Sequence, residues 1–423
     1  MNETESSQAT MPRLSVAPIP EGSVLLHIGP PKTGTSALQG ACHSCREAML
    51  EQGVRYAGRT QQSGRAAYAV LGRTHPTLGG APSIHHWRRL VAEVRNAREA
   101  RVFVSSEFFA GADDAQAARI VDELGGERVH VALTLRPVSR ILASRWQQNV
   151  QEGARYSYDQ WLRWVFEQPD EGKGATFWSR QRHDRLAARW ARIVGASRLS
   201  AVMVDERDRS AIFHAFEGLL ALRSGTLVPQ DDTANRSMTA AEIELVRALN
   251  EAFAAEGIAR PLLYKMITRG TALYMKGRAP SREEARQETP AWAIQRADAI
   301  GRESATAIRA LGVTVIGNLE ALGGSTPHDA ALATIPPLPD AATDGAPGGG
   351  GSVPSQVAIR ALMGMLFASG AARGGGSGDP RVDVRVEPQL LQRVHTFDLL
   401  RVAAQRLQWS LVSRIRRVLR RLR

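Results

Sequence analysis

Val24-Leu-Leu-His-Ile-Gly-Pro-Pro-Lys-Thr-Gly-Thr-Ser-Ala-Leu-Gln39 joins an apolar run to a Gly/Pro-broken basic turn and then to a helical pattern. That order of strand, turn and helix is the layout of a phosphate loop. Backbone N–H groups at a helix N-terminus point outward together with the positive end of the helix dipole, so the main chain can hold an oxyanion there. Lys32 adds a point charge. In nucleoside-triphosphate loops the lysine directly follows the second glycine, whereas here Lys32 precedes Gly34. An ordinary ATPase does not fit this order.

Outward from the loop, residues 23 to about 327 alternate strand-like runs with helical patterns. Strands are expected at Val24–Ile28, Val54–Tyr56, Val102–Ser105, Val129–Leu135 and Leu199–Val204. Their spacing requires crossover helices, so the fold class is α/β, a P-loop-like parallel sheet flanked by helices. Such sheets bind ligands outside the carboxyl ends of their strands. The stretch Val129 to Asn149 supplies a second anion element there. Its apolar strand ends at Leu135 and Arg136-Pro137 is expected to start a helix, proline being favoured at a first helical position. Arg136 and Ser144 are eight residues apart, about two helical turns, and together suit one phosphate. Arg140 is a further basic residue nearby.

His27-Ile28-Gly29-Pro30-Pro31-Lys32-Thr33-Gly34-Thr35-Ser36, with Gln39 and then Gly53-Val54-Arg55-Tyr56, resembles the opening of sulfotransferases that use 3′-phosphoadenosine-5′-phosphosulfate (PAPS). Arg136-x7-Ser144 is similar to that family's 3′-phosphate motif and lies at the corresponding distance from the loop. The resemblance spans about Ser23 to Phe253 and is specific at these two motifs. It implies that Lys32 touches the bridging and sulfuryl oxygens while Thr33, Gly34, Thr35 and Ser36 supply backbone and hydroxyl donors. Late Asn/Arg/Ser motifs in the family lie near the nucleotide, which makes Arg236, in Asn235-Arg236-Ser237, a phosphate contact; Ser237 or Thr239 also suits a helix cap.

Sulfuryl transfer to a hydroxyl needs a group that accepts the acceptor's proton. A sulfuryl group carries less charge than a phosphoryl group, so no metal is expected. Glu107 follows a strand end in Arg101-Val-Phe-Val-Ser-Ser-Glu-Phe-Phe109 and is the first choice for base. The Ser-Ser-Glu-x-Phe pattern resembles bacterial and carbohydrate sulfotransferases. The Lys-Thr-His motif of the cytosolic small-molecule branch is absent. His27, His85, His86 and His183 are alternatives, each with a plainer reading as a core or surface histidine.

The 423 residues are 43% hydrophobic, enough for one large α/β domain and appendages. The charge of +12 comes from 54 basic and 42 acidic residues, and only four of the basic residues are lysine. Arg-, Ala- and Gly-rich composition points to codon bias, although basic character suits an anionic donor. Cys42 and Cys45 have neither a second pair for zinc nor a redox context. The start of the chain lacks a charged n-region and an apolar h-region, so cytoplasmic synthesis is expected.

Composition divides the chain into a flexible leader at 1–22, an α/β domain at 23–327, which the resemblance implies is a sulfotransferase domain, a Gly/Pro-rich linker at 328–385 with a short apolar helix near Gln356–Ser369, and a tail at 386–423. Within residues 397–423, Leu400, Ala403, Leu407, Leu411, Ile415, Val418 and Leu422 form an apolar stripe opposite eight arginines. The tail therefore reads as a peripheral anchor for an anionic membrane surface, on the inner face of the plasma membrane. Docking on protein and nucleic-acid binding are its other readings; no aromatic-interleaved platform supports the latter. The expected acceptor is a carbohydrate or glycolipid hydroxyl. The competing classes are a P-loop kinase or ATPase, for which Asp205 after the fifth strand would hold magnesium, and a non-catalytic membrane-associated protein retaining the fold.

Overall fold

The computed structural model describes residues 16–74, 80–205, 207–229, 236–258, 260–324 and 355–369. Among these residues six strands form one sheet: β1 Ser23–Gly29, β2 Val54–Tyr56, β3 Arg101–Ser105, β4 Val129–Leu135, β5 Leu199–Met203 and β6 Thr314–Ile316. Their spatial order is β2-β3-β1-β4-β5-β6 and every pairing is parallel. All seven residues of β1 are buried, as a central strand covered on both faces requires. The five expected strands are present to within a residue at each end. β6 went unread because it is three residues long with two of them exposed.

Side-chain alternation divides the core between the two faces of the sheet. Val24, Leu26 and Ile28 point to the face covered by Trp87, Ile120, Leu186 and Trp190. Leu25 points to the other, where Leu38, Cys42, Met49 and Phe216 lie. The helix Thr35–Ser44, which leads away from β1, and the helix His183–Val194, which leads into β5, thus sit on opposite faces. β1 and β4 are neighbours whose connections leave in opposite directions, so a topological switch point opens between their carboxyl ends.

The chain divides into two compact units. The first holds the sheet and, among described residues, comprises 16–141, 168–229 and 295–324. The second comprises 142–167, 236–294 and 355–369. It is helical, with Leu142–Gln151, Tyr158–Glu167, Ala240–Ala255, Arg260–Met266, a π-helical turn at Ile267–Thr271, Ala272–Lys276 and Ser355–Ser369. The last of these is the apolar helix expected within the linker. Thr239 caps Ala240–Ala255 in a reciprocal arrangement with Glu242.

The leader boundary needs correcting. Ile19 is buried, its N–H donates to the Leu219 carbonyl at 3.0 Å, and its own carbonyl accepts from Arg101 Nε at 2.8 Å. Residues 16–22 therefore belong to the first unit. The tail at 386–423, with the stripe in 397–423, lies outside the described residues, as does the linker apart from 355–369. No helix among the described residues is long and apolar enough to cross a membrane.

Candidate active site

The loop after β1 is built by hiding its carbonyls. Four consecutive ones each face a side-chain donor: Gly29 O faces Thr134 Oγ1 at 3.1 Å, Pro30 O faces Thr33 Oγ1 at 2.6 Å, Pro31 O faces Gln181 Nε2 at 3.1 Å and Lys32 O faces Arg136 Nη1 at 3.0 Å. Pro30 and Pro31 carry no N–H, so of these four peptides only the last two, held through Pro31 O and Lys32 O, have an N–H end, that of Lys32 and that of Thr33. Lys32 and Gly34 both take left-handed conformations, φ 74° and 79°, which are uncommon for a lysine and easy for glycine. A Cβ on Gly34 would also lie 3.1 Å from Ile212 Cδ1.

Gly34 is the N-cap of Thr35–Ser44 and no side chain caps that helix. The first intrahelical bond from beyond the cap is Leu38 N–H to Gly34 O at 3.3 Å. The N–H groups before Leu38 have no acceptor within the helix, and the positive end of its dipole lies among them. Arg136, half-buried just past β4, brings a guanidinium to this loop across the switch point. Lys32 is also half-buried there.

Behind the loop runs a buried polar chain. Thr33 and Thr134 hydroxyl oxygens are 2.6 Å apart; the Thr33 proton goes to Pro30 O, so the single Thr134 proton is divided between Gly29 O and Thr33 Oγ1. His27 Nε2, 3.3 Å from Thr134 Oγ1, must therefore donate, which leaves Nδ1 to accept from Ser105 Oγ at 2.8 Å. Ser105 Oγ accepts from Gln39 Nε2 at 3.1 Å, and the other Gln39 Nε2 proton goes to Glu107 Oε2 at 3.1 Å. Burial pushes the His27 imidazole pKa down to about 3, in keeping with a neutral strut.

Glu107 thus has one carboxylate oxygen held by Gln39, on the helix that starts at the loop. Its backbone is held against β1. A Cβ on Gly29, which has φ 80°, would lie 2.7 Å from Glu107 Cβ and 2.8 Å from its Cα. Only a glycine allows this approach. Ser106, buried, caps the 3₁₀ turn Glu107–Gly111 by accepting from Phe108 N–H. Glu107, Lys32 and the helix start consequently share the carboxyl-end rim of β1 and its neighbours.

Several expectations are revised. Thr33 is fully buried and its hydroxyl is committed to Pro30 and Thr134, so that hydroxyl acts as a strut of the loop. Thr35 is buried and Ser36 exposed at the helix start. Pro137 is extended, φ −52° and ψ 129°; a 3₁₀ turn Val138–Arg140 follows and the helix begins at Leu142. Ser144 lies on that helix in the second unit while Arg136 lies in the first, so their pairing rests on sequence spacing alone.

Arg236, in the second unit, is a structural residue. Its guanidinium forks onto the buried Glu242 carboxylate with two bonds of 2.7 Å, and its Nε faces the Lys276 and Arg278 carbonyls. Arg278 donates to the same carboxylate at 2.6 Å. A fully buried carboxylate needs such partners, and they occupy Arg236.

Among the alternative bases, His183 is buried with its pKa lowered to about 4 by desolvation. His85 and His86 begin the helix His85–Asn96, and Arg140 is exposed. Burial pushes the Cys42 thiol up, as suits a core residue. Asp205 is exposed and accepts from Arg207 N–H at 2.8 Å, a local turn.

The spacing-based reading missed Thr134 and Gln181, whose donors face the loop from 105 and 150 residues away. No motif marks either. Comparison with family models, characterised proteins and solved structures returns no match.

Proposed function

We propose that this protein is a PAPS-dependent sulfotransferase acting on a hydroxyl of a carbohydrate or glycolipid. The observation that carries the reading is the loop whose two Lys32 peptides are held through their carbonyls by Gln181 and Arg136, beside a carboxylate oriented by Gln39. Lys32 and the backbone at Gly34, Thr35 and Ser36 meet the 5′-phosphosulfate. Arg136 meets the 3′-phosphate; Ser144 belongs to the same sequence motif. The donor is a co-substrate and no metal takes part.

In the transfer, Glu107 takes the proton of the acceptor hydroxyl as its oxygen forms a bond to sulfur. The bond from sulfur to the bridging oxygen breaks in line, and the charge left on the phosphate falls to Lys32 and the loop N–H groups. The products are a sulfate ester and adenosine 3′,5′-bisphosphate. A tail at 397–423 that rests on anionic lipid would bring the enzyme to a glycolipid acceptor, at the cytoplasmic side of the membrane.

The test is incubation with sulfur-labelled PAPS and a cell-envelope extract, followed by identification of the labelled product. Label in a carbohydrate or glycolipid ester supports the reading. No transfer, together with no binding of adenosine 3′,5′-bisphosphate, rejects it.

A further inference from the structure

Gln181 ends the helix Gly172–Gln181 and is 2% exposed. Its Nε2 donates to Pro31 O at 3.1 Å. The amide oxygen is buried with no hydrogen-bond partner among the described residues. Reversing the amide would set that oxygen against the Pro31 carbonyl oxygen, so the donor assignment is dictated by the contact. A methionine or leucine would fill the same space and leave no orphaned oxygen, so packing alone gives no reason for an amide here. The adjoining residue is anchored: Arg182 forks onto Asp184 with bonds of 3.0 and 2.7 Å. Burial restricts the Gln181 side chain itself.

What it holds is one of the two peptide planes around Lys32. A trans peptide is planar with its C=O and N–H opposed, so the direction of Pro31 O sets the direction of the Lys32 N–H. In the same way Arg136, through Lys32 O, sets the Thr33 N–H. Between them the two side chains define both dihedrals of Lys32, a lysine at φ 74° that needs outside support to stay there.

We propose that Gln181 is a positioning residue for the 5′ end of the donor: it keeps the Lys32 N–H and side chain directed at a 5′-phosphate or phosphosulfate group. This rests on the donor reading above. It assigns to Gln181 a recognition role that distinguishes ligands with a 5′-phosphate from those without one.

The experiment measures, by calorimetry on the full chain, affinities for adenosine 3′,5′-bisphosphate and for adenosine 3′-monophosphate in wild type and Gln181→Met. Loss of one hydrogen bond's support should weaken the bisphosphate by about tenfold and leave the 3′-monophosphate within about twofold. Equal weakening of both ligands, or no change in either, overturns the proposal while the donor reading stands. A wild-type protein that binds neither ligand overturns the donor reading and the proposal with it. Should Gln181→Met not fold, Gln181→Leu also lacks the donor without adding charge, and the same ligand contrast decides.

Discussion

Arg136 Nη1 donates to the carbonyl of Lys32 at 3.0 Å across 104 residues of chain. The end of β4 and the loop after β1 are thereby joined at the switch point. Removing either side chain affects more than one charge. Arg136→Ala loses the guanidinium proposed to meet the 3′-phosphate and also releases one of the peptide planes of Lys32. Affinity for adenosine 3′,5′-bisphosphate should fall about ten- to a hundredfold by calorimetry. Normal affinity sinks the assignment.

Lys32→Ala removes the charge that, on the proposed mechanism, is needed most as the leaving phosphate forms. The variant should lose kcat by about a hundredfold or more, with a smaller loss of donor-product affinity. Steady-state kinetics with labelled PAPS separates the two, and an unchanged kcat rejects the role.

Glu107→Gln keeps the bond geometry toward Gln39 approximately and abolishes basicity. Turnover should drop by roughly 10² to 10⁴-fold while the bisphosphate still binds. Gly29→Ala reaches the same carboxylate by force, because the new methyl meets Glu107 at its Cα and Cβ and φ is 80°. It should destabilise the fold by on the order of 1–3 kcal/mol and reduce turnover as well. A Gly29→Ala protein with wild-type melting and kcat contradicts the contact.

Acid should unfold this protein through buried neutral histidines. His27 has its pKa lowered from 6.5 to about 3 and His183 from 6.5 to about 4, both by burial. Below pH 6.5 the unfolded chain takes up protons that the folded one refuses. The stabilisation is complete above pH 6.5 and declines as pH falls toward those lowered values, by about 1.4 kcal/mol per pH unit for each histidine. Urea unfolding at pH 6 and pH 5 measures the slope, and His27→Gln should remove one histidine's share of it. A slope unchanged by that substitution counts against a neutral buried His27.

Truncation after residue 400 tests the tail independently of the site. Loss of Arg401 to Arg423 should release the protein from anionic liposomes and spare transfer to a soluble acceptor. Equal co-sedimentation with and without the tail rejects an anchor.

Much of the fold was readable from local pattern. The runs at Val54–Tyr56 and Val129–Leu135 have the extents of β2 and β4, because a buried parallel strand is a short apolar run bounded by turn residues. Arg236 misled because the Asn-Arg-Ser motif says nothing of Glu242, whose burial recruits it. The hydroxyl of Thr33 misled for a similar reason: its neighbour Thr134 is 101 residues away.

By itself the sequence determined that the chain makes a parallel α/β sheet with a cationic strand–turn–helix loop, since strand runs, glycine, proline and helical period are all local features. Only the tertiary structure decided which face of the loop is free for a ligand. That depends on Thr134, Gln181 and Arg136 arriving from distant segments to cover its carbonyls, and on Gly29 admitting Glu107. Hydrogen bonds and close backbone approaches between remote segments follow from strand order and crossover faces, which no local pattern records.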